Sequence, residues 1–92
     1  MYDINITYYI VTFSSTHQAI KFERLLLPQF DIELIPTPRE VSASCGLSLK
    51  FAVEDQPEIV RVMLTENREG IKLFGFSVED GITTVHAMRW EE

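Results

Sequence analysis

The sequence predicts an α+β domain, a two-layer sandwich in the order β-α-β-β-α-β with an extra C-terminal hairpin strand. Three observations carry this. Apolar residues alternate with period two in several short runs. Two of those runs lead into helix-start signals followed by helically spaced apolar residues. Asp80-Gly81, a strong hairpin dipeptide, separates the last two runs.

The first strand is expected over Ile4 to Phe13, with Ile4, Ile6, Tyr8 and Ile10 on one face. Ser14-Ser15-Thr16 stops it. Ser15 followed by Gln18 reads as a capping box, so a helix should start near Thr16. Ala19, Phe22 and Leu26, with Leu25 beside them, give its buried stripe, and Lys21 and Arg24 can face water. Pro28 ends the helix near Leu27, because a residue before proline avoids the α region.

Asp31 to Ile35 is the second strand. Pro36-Thr37-Pro38 cannot pair as a central strand and is expected as extended loop or sheet edge. Leu47, Leu49 and Phe51 alternate with Ser48 and Lys50 in a half-buried third strand. Asp55-Gln56-Pro57-Glu58 starts the second helix, Asp55 capping, Pro57 in the first turn and Glu58 closing the box. Ile59, Val60, Met63 and Leu64 form its stripe, and Gly70 ends it or begins the next turn. Lys72 to Val78 is the fourth strand, with Phe74, Phe76 and Val78 on one face, and Ile82 to Ala87 returns as the fifth. The tail from Met88 to Glu92 is expected to fray unless Trp90 docks.

This order suits the split βαβ, or ferredoxin-like, arrangement, with both helices on one face of an antiparallel sheet. The other face would carry Tyr9, Val11 and Phe13, or their neighbours one register on; the pattern does not say which set lies under the helices. An apolar face left open calls for a partner, so a homodimer is expected.

Composition narrows the function. Ninety-two residues with 46% hydrophobic content make one modest domain, residues 1–92, without linkers or repeats. Fourteen acidic against eight basic side chains give −6, which lacks the footprint of a nucleic-acid binder. No apolar run approaches a membrane span, and Met1 to Asn5 has neither the basic nor the apolar region of a secretory leader. One cysteine forms no internal disulfide and points to a reducing, cytoplasmic setting. Cys45, His17 and His86 have no metal-ligand spacing, so neither metal nor cofactor is expected.

The stretch from Ile35 to Leu47 is the unusual one. Two prolines stiffen its first half; its second half, Ser42-Ala43-Ser44-Cys45-Gly46, is small and polar. The only cysteine stands at its end beside a glycine that blocks no approach. A free cysteine is roughly 3% thiolate at pH 7, and the thiolate is the nucleophile. Arg39 is the expected stabiliser, helped by hydroxyls of Thr37, Ser42 or Ser44 and by loop N–H groups. The alternative, which composition and spacing alone favour, is that this free cysteine is a small buried hydrophobe. Ser14, Ser15 and Thr16 stand at a helix N-terminus that can hold an anion, although capping already accounts for them. His17 would approach the cysteine if helix and loop meet at one sheet end; a surface role fits it equally.

Tyr9 to His17 with Ala19, followed by Ile35-Pro36-Thr37-Pro38-Arg39-Glu40-Val41-Ser42-Ala43-Ser44-Cys45-Gly46-Leu47, resembles the selenium/sulfur (Se/S) carrier protein-like family of small bacterial proteins. The resemblance covers about residues 8–76; the Pro-Thr-Pro-Arg-Glu run and the Ser-Cys-Gly motif are its specific parts. The hairpin, about 79–92, lies beyond that core. The resemblance implies a carrier in which Cys45 holds sulfur or selenium as a persulfide or selenosulfide. A donor of the cysteine desulfurase or selenocysteine lyase type would load it and an acceptor enzyme would unload it. Such a carrier is a co-substrate rather than an enzyme, and its sulfur should be reachable. The competing readings are a small-anion or small-ligand binding module and a structural interaction subunit, with Cys45 only packing.

Overall fold

The computed structural model describes residues 5–90. Five strands and two α-helices follow one another as β1 (Tyr8–Thr12), α1 (Thr16–Leu26), β2 (Ile32–Pro36), β3 (Leu47–Ala52), α2 (Gln56–Met63), β4 (Lys72–Glu79) and β5 (Ile82–Met88). A short 3₁₀ turn, Val53–Asp55, leads into α2. The fold is α+β with one antiparallel sheet in the order β2-β3-β1-β4-β5, so β5 extends the sheet beyond four strands.

The sheet's faces divide by the parity of β1. Tyr9, Val11 and Phe13 join Leu49, Phe51 and Leu73 under Ala19, Phe22 and Leu26 of α1 and Ile59 and Met63 of α2. Tyr8, Ile10 and Thr12 point the other way. The register sets Ile10 opposite Lys50 and Phe74, and Tyr8 opposite Phe76. That second face is less open than its composition suggests: Ile10, Thr12, Ser48 and Phe76 are all buried within one chain. The β2–β3 loop contributes to the cover, since the Thr37 hydroxyl meets the Ser48 hydroxyl at 2.7 Å. Apolar side chains that stay exposed include Val78 at 42% and Ile82 at 67% on the hairpin and Leu27 at 51% after α1.

Several local expectations change. Strand pairing starts at Tyr8, and Ile4 lies outside the described residues. Residues 5–7 still run beside β4, with the Thr7 N–H on the Phe76 carbonyl and the Ser77 hydroxyl on the Asn5 carbonyl. The Ser15 side chain caps α1 by accepting from the Gln18 N–H. Gln18 Oε1 does not close the box on Ser15; it accepts from the N–H and hydroxyl of Ser14, one residue earlier. Asp55 makes no side-chain cap, because the 3₁₀ turn holds it in helical backbone (φ −89°, ψ −5°) where a cap needs an extended residue. Glu58 pairs with Arg61 instead. Leu64 is exposed, and α2 ends at Met63, well before Gly70. Gly70 belongs to the turn that feeds β4. At the other end of the hairpin Trp90 docks, its indole N–H donating to the Ile71 carbonyl. Glu91 and Glu92, where fraying was expected, lie outside the described residues.

Candidate functional site

Strand direction decides what meets at the functional end of the sheet. β3 is antiparallel to both β1 and β2, so β1 and β2 point the same way. The start of α1 and the loop 37–46 therefore leave the sheet at one end. β4 is antiparallel to β1 and begins there, which brings in Gly70 and Lys72.

Cys45 is built into this junction. Its N–H donates to the Phe13 carbonyl at 3.3 Å. Its carbonyl accepts from the Thr37 hydroxyl at 3.0 Å, and the Thr37 N–H donates to the Gly46 carbonyl at 2.8 Å. These bonds pinch the loop at its base. The sulfur accepts the Leu47 N–H at 3.3 Å and lies 3.7 Å from the Thr16 hydroxyl in the first turn of α1. The thiol is buried at 4% exposure, where a reachable sulfur was expected.

The other expected site residues separate into two groups. Thr37, Thr16 and Gly46 surround Cys45 as described. Ser42 and Ser44 are exposed and line a cleft of about 470 Å³ with Thr12, Phe13, Ser14, Ala43, Gly70 and Lys72. Ser15 is occupied as the helix cap. Arg39 and His17 are exposed, and no hydrogen bond or ion pair joins either side chain to any described residue. The guanidinium expected on the thiol is thus replaced by a backbone N–H and a hydroxyl. Glu40 reaches elsewhere: it adds to burial, the larger cause, in pushing the Tyr8 phenol up. Among the described residues no cluster of His, Cys, Asp and Glu could hold a metal ion, and no helix is long and apolar enough to cross a membrane.

Sequence reasoning missed Gly70 and Lys72. Their signal lay in topology, through the antiparallel placement of β4 beside β1. Gly70 sits at φ +78°, and a Cβ there would stand 2.8 Å from the Ser14 hydroxyl, so only glycine permits this approach. Gln18 Nε2 fixes the approach by donating to the Glu69 carbonyl. Lys72 also borders a second groove of about 580 Å³, shared with Arg68, Arg89 and Trp90.

In comparisons with known proteins, the sequence model of a family described as "Putative Se/S carrier protein-like" matches residues 8–74. Neither a curated protein nor a solved structure matches the chain.

Proposed function

The chain belongs to the Se/S carrier protein-like family, and from that membership we propose that it carries sulfur or selenium as a persulfide or selenosulfide on Cys45. The observation that supports this reading is the polar setting of the sulfur, between the Leu47 N–H and the Thr16 hydroxyl at the start of α1. A donor of the desulfurase or lyase type loads the thiol and an acceptor enzyme unloads it, in a cytoplasmic setting. Charging requires the loop to swing away, since transfer proceeds by attack of the thiolate on an outer sulfur. Ser42, Ala43 and Ser44 are exposed and lie outside any strand, so they are the segment free to move. Exposed Arg39 meets the charge of the incoming group rather than that of the resting thiol.

One observation favours a second reading. Cys45 is packed in the apolar core cluster, as a loop staple without chemistry would be. Iodoacetamide alkylation of the native protein distinguishes the two. A carrier reacts through local opening, faster than the amide-exchange rate of the slowest core positions. A rate equal to that of global unfolding ends the carrier reading. Intact mass after incubation with a cysteine desulfurase and cysteine should gain one sulfur, and Cys45→Ser should lose that gain.

We also read the order β2-β3-β1-β4 with two helices as ferredoxin-like, β5 being the addition. The working unit in this proposal is a homodimer formed along the exposed hairpin.

A further inference from the structure

The cleft beside Cys45 has a composition that neither the carrier chemistry nor the packing requires. Thr12, Ser14, Ser42, Ser44 and Lys72 line it, and among the described residues no carboxylate does. The exposed Lys72 side chain makes no hydrogen bond or ion pair with any described residue. Two more cations, Arg68 and Arg89, border the adjoining groove, with Lys72 between the two hollows. Three of the chain's eight basic side chains therefore gather at one end of a molecule of net charge −6. A low-dielectric hollow lined by one sign of charge concentrates the opposite ion. Gly70 keeps the floor open, because any side chain there would strike Ser14.

We propose that this cleft binds a small divalent oxyanion of the thiosulfate class, and that such an ion is a direct sulfur donor to Cys45. The assignment rests on the carrier reading above. Lys72 neutralises charge on the sulfonate oxygens, and the hydroxyls of Ser42 and Ser44 donate to them. Ser44 precedes Cys45 in the chain, so the loop that holds the anion also carries the thiol. Cys45 does not itself line the cleft, and the loop opening invoked above brings its sulfur to the bound ion. In the transfer, the Cys45 thiolate attacks the outer, sulfane sulfur. A new S–S bond forms on Cys45, the S–S bond of thiosulfate breaks, and sulfite leaves with the bonding pair. The charges balance, and no outside oxidant or reductant takes part.

The test titrates the full chain with sulfate and with thiosulfate at constant ionic strength, following backbone amide resonances. Saturable shifts are expected for both ions, confined to residues 12–16, 42–46 and 70–72. Lys72→Gln, an exposed change that leaves the fold unaltered, should weaken both roughly tenfold, as the loss of one charge-assisted contact does. Thiosulfate should add one sulfur to the intact mass, more slowly in Lys72→Gln and not at all in Cys45→Ser. Shifts that fail to saturate, or that Lys72→Gln leaves unchanged, overturn the site. Saturable binding without a mass gain overturns the donor assignment. In either case, loading by a cysteine desulfurase decides separately whether Cys45 is a carrier.

Discussion

At the scale of single residues, the Leu47 N–H reaches back two positions to the sulfur of Cys45. Cys45→Ala leaves that half-buried donor without its acceptor and should cost about 1 kcal/mol. Cys45→Ser keeps an oxygen near the same place and should cost less, read as urea midpoints. The reverse ranking would mean that the site values Cys45 as a hydrophobe. A second residue-scale effect concerns Tyr8 and Tyr9. Burial pushes both phenols up, and the Glu40 carboxylate adds to the effect at Tyr8. Each keeps its proton to higher pH folded than unfolded, so ionisation favours the unfolded chain. Stability should hold up to about pH 10, the ordinary tyrosine range, and fall as the pH rises beyond it. Tyr9→Phe should flatten that fall in urea titrations taken across the range. An unchanged slope would mean that Tyr9 does not contribute.

At the scale of elements, both helix starts, at Thr16 and Gln56, and the hairpin turn were legible in the sequence, because each is written in adjacent residues. Ser15 sits just ahead of its helix in extended backbone, where its side chain can cap. The turn at Asp80 (φ +53°) and Gly81 (φ +77°) has both central residues left-handed, the type I′ geometry that suits twisted strands. No atom lies within 4 Å of a Cβ added at Gly81. Gly81→Ala should therefore cost about 1–2 kcal/mol through backbone conformation alone. A thermal melt unmoved by this change would contradict the turn type. What stayed illegible was long-range. The partner expected for Cys45 was Arg39, six residues away, whereas the sulfur's polar neighbours are Thr16 and a backbone N–H. Side-chain identity does not advertise a backbone donor, and Lys72 enters only through strand pairing. The buried parity of β1 was equally ambiguous, since apolar and aromatic residues stand on both of its faces and the loop helps to cover the second.

At the scale of the whole molecule, the proposed homodimer depends on β5, an edge strand beside the exposed side chains of Val78 and Ile82. Light scattering at high protein concentration should show twice the chain mass. Ile82→Lys should shift the species to monomer while leaving circular dichroism unchanged. A monomer in the parent chain removes the dimer. The junction around Cys45 has a different consequence. Its parts come from residues 13–16, 37–48 and 70–72, and Thr16 lies 29 positions from the cysteine it approaches. A nascent chain emerging from the ribosome has the cysteine long before it has β4 to complete the cleft. Until the last strands pair, Cys45 is an ordinary thiol on an unfinished chain, and cargo loaded there would lie open to any passing reductant. Under the proposed carrier reading, competence to hold cargo thus arrives only once β4 has paired with β1, so a charged Cys45 would also mark a chain folded that far.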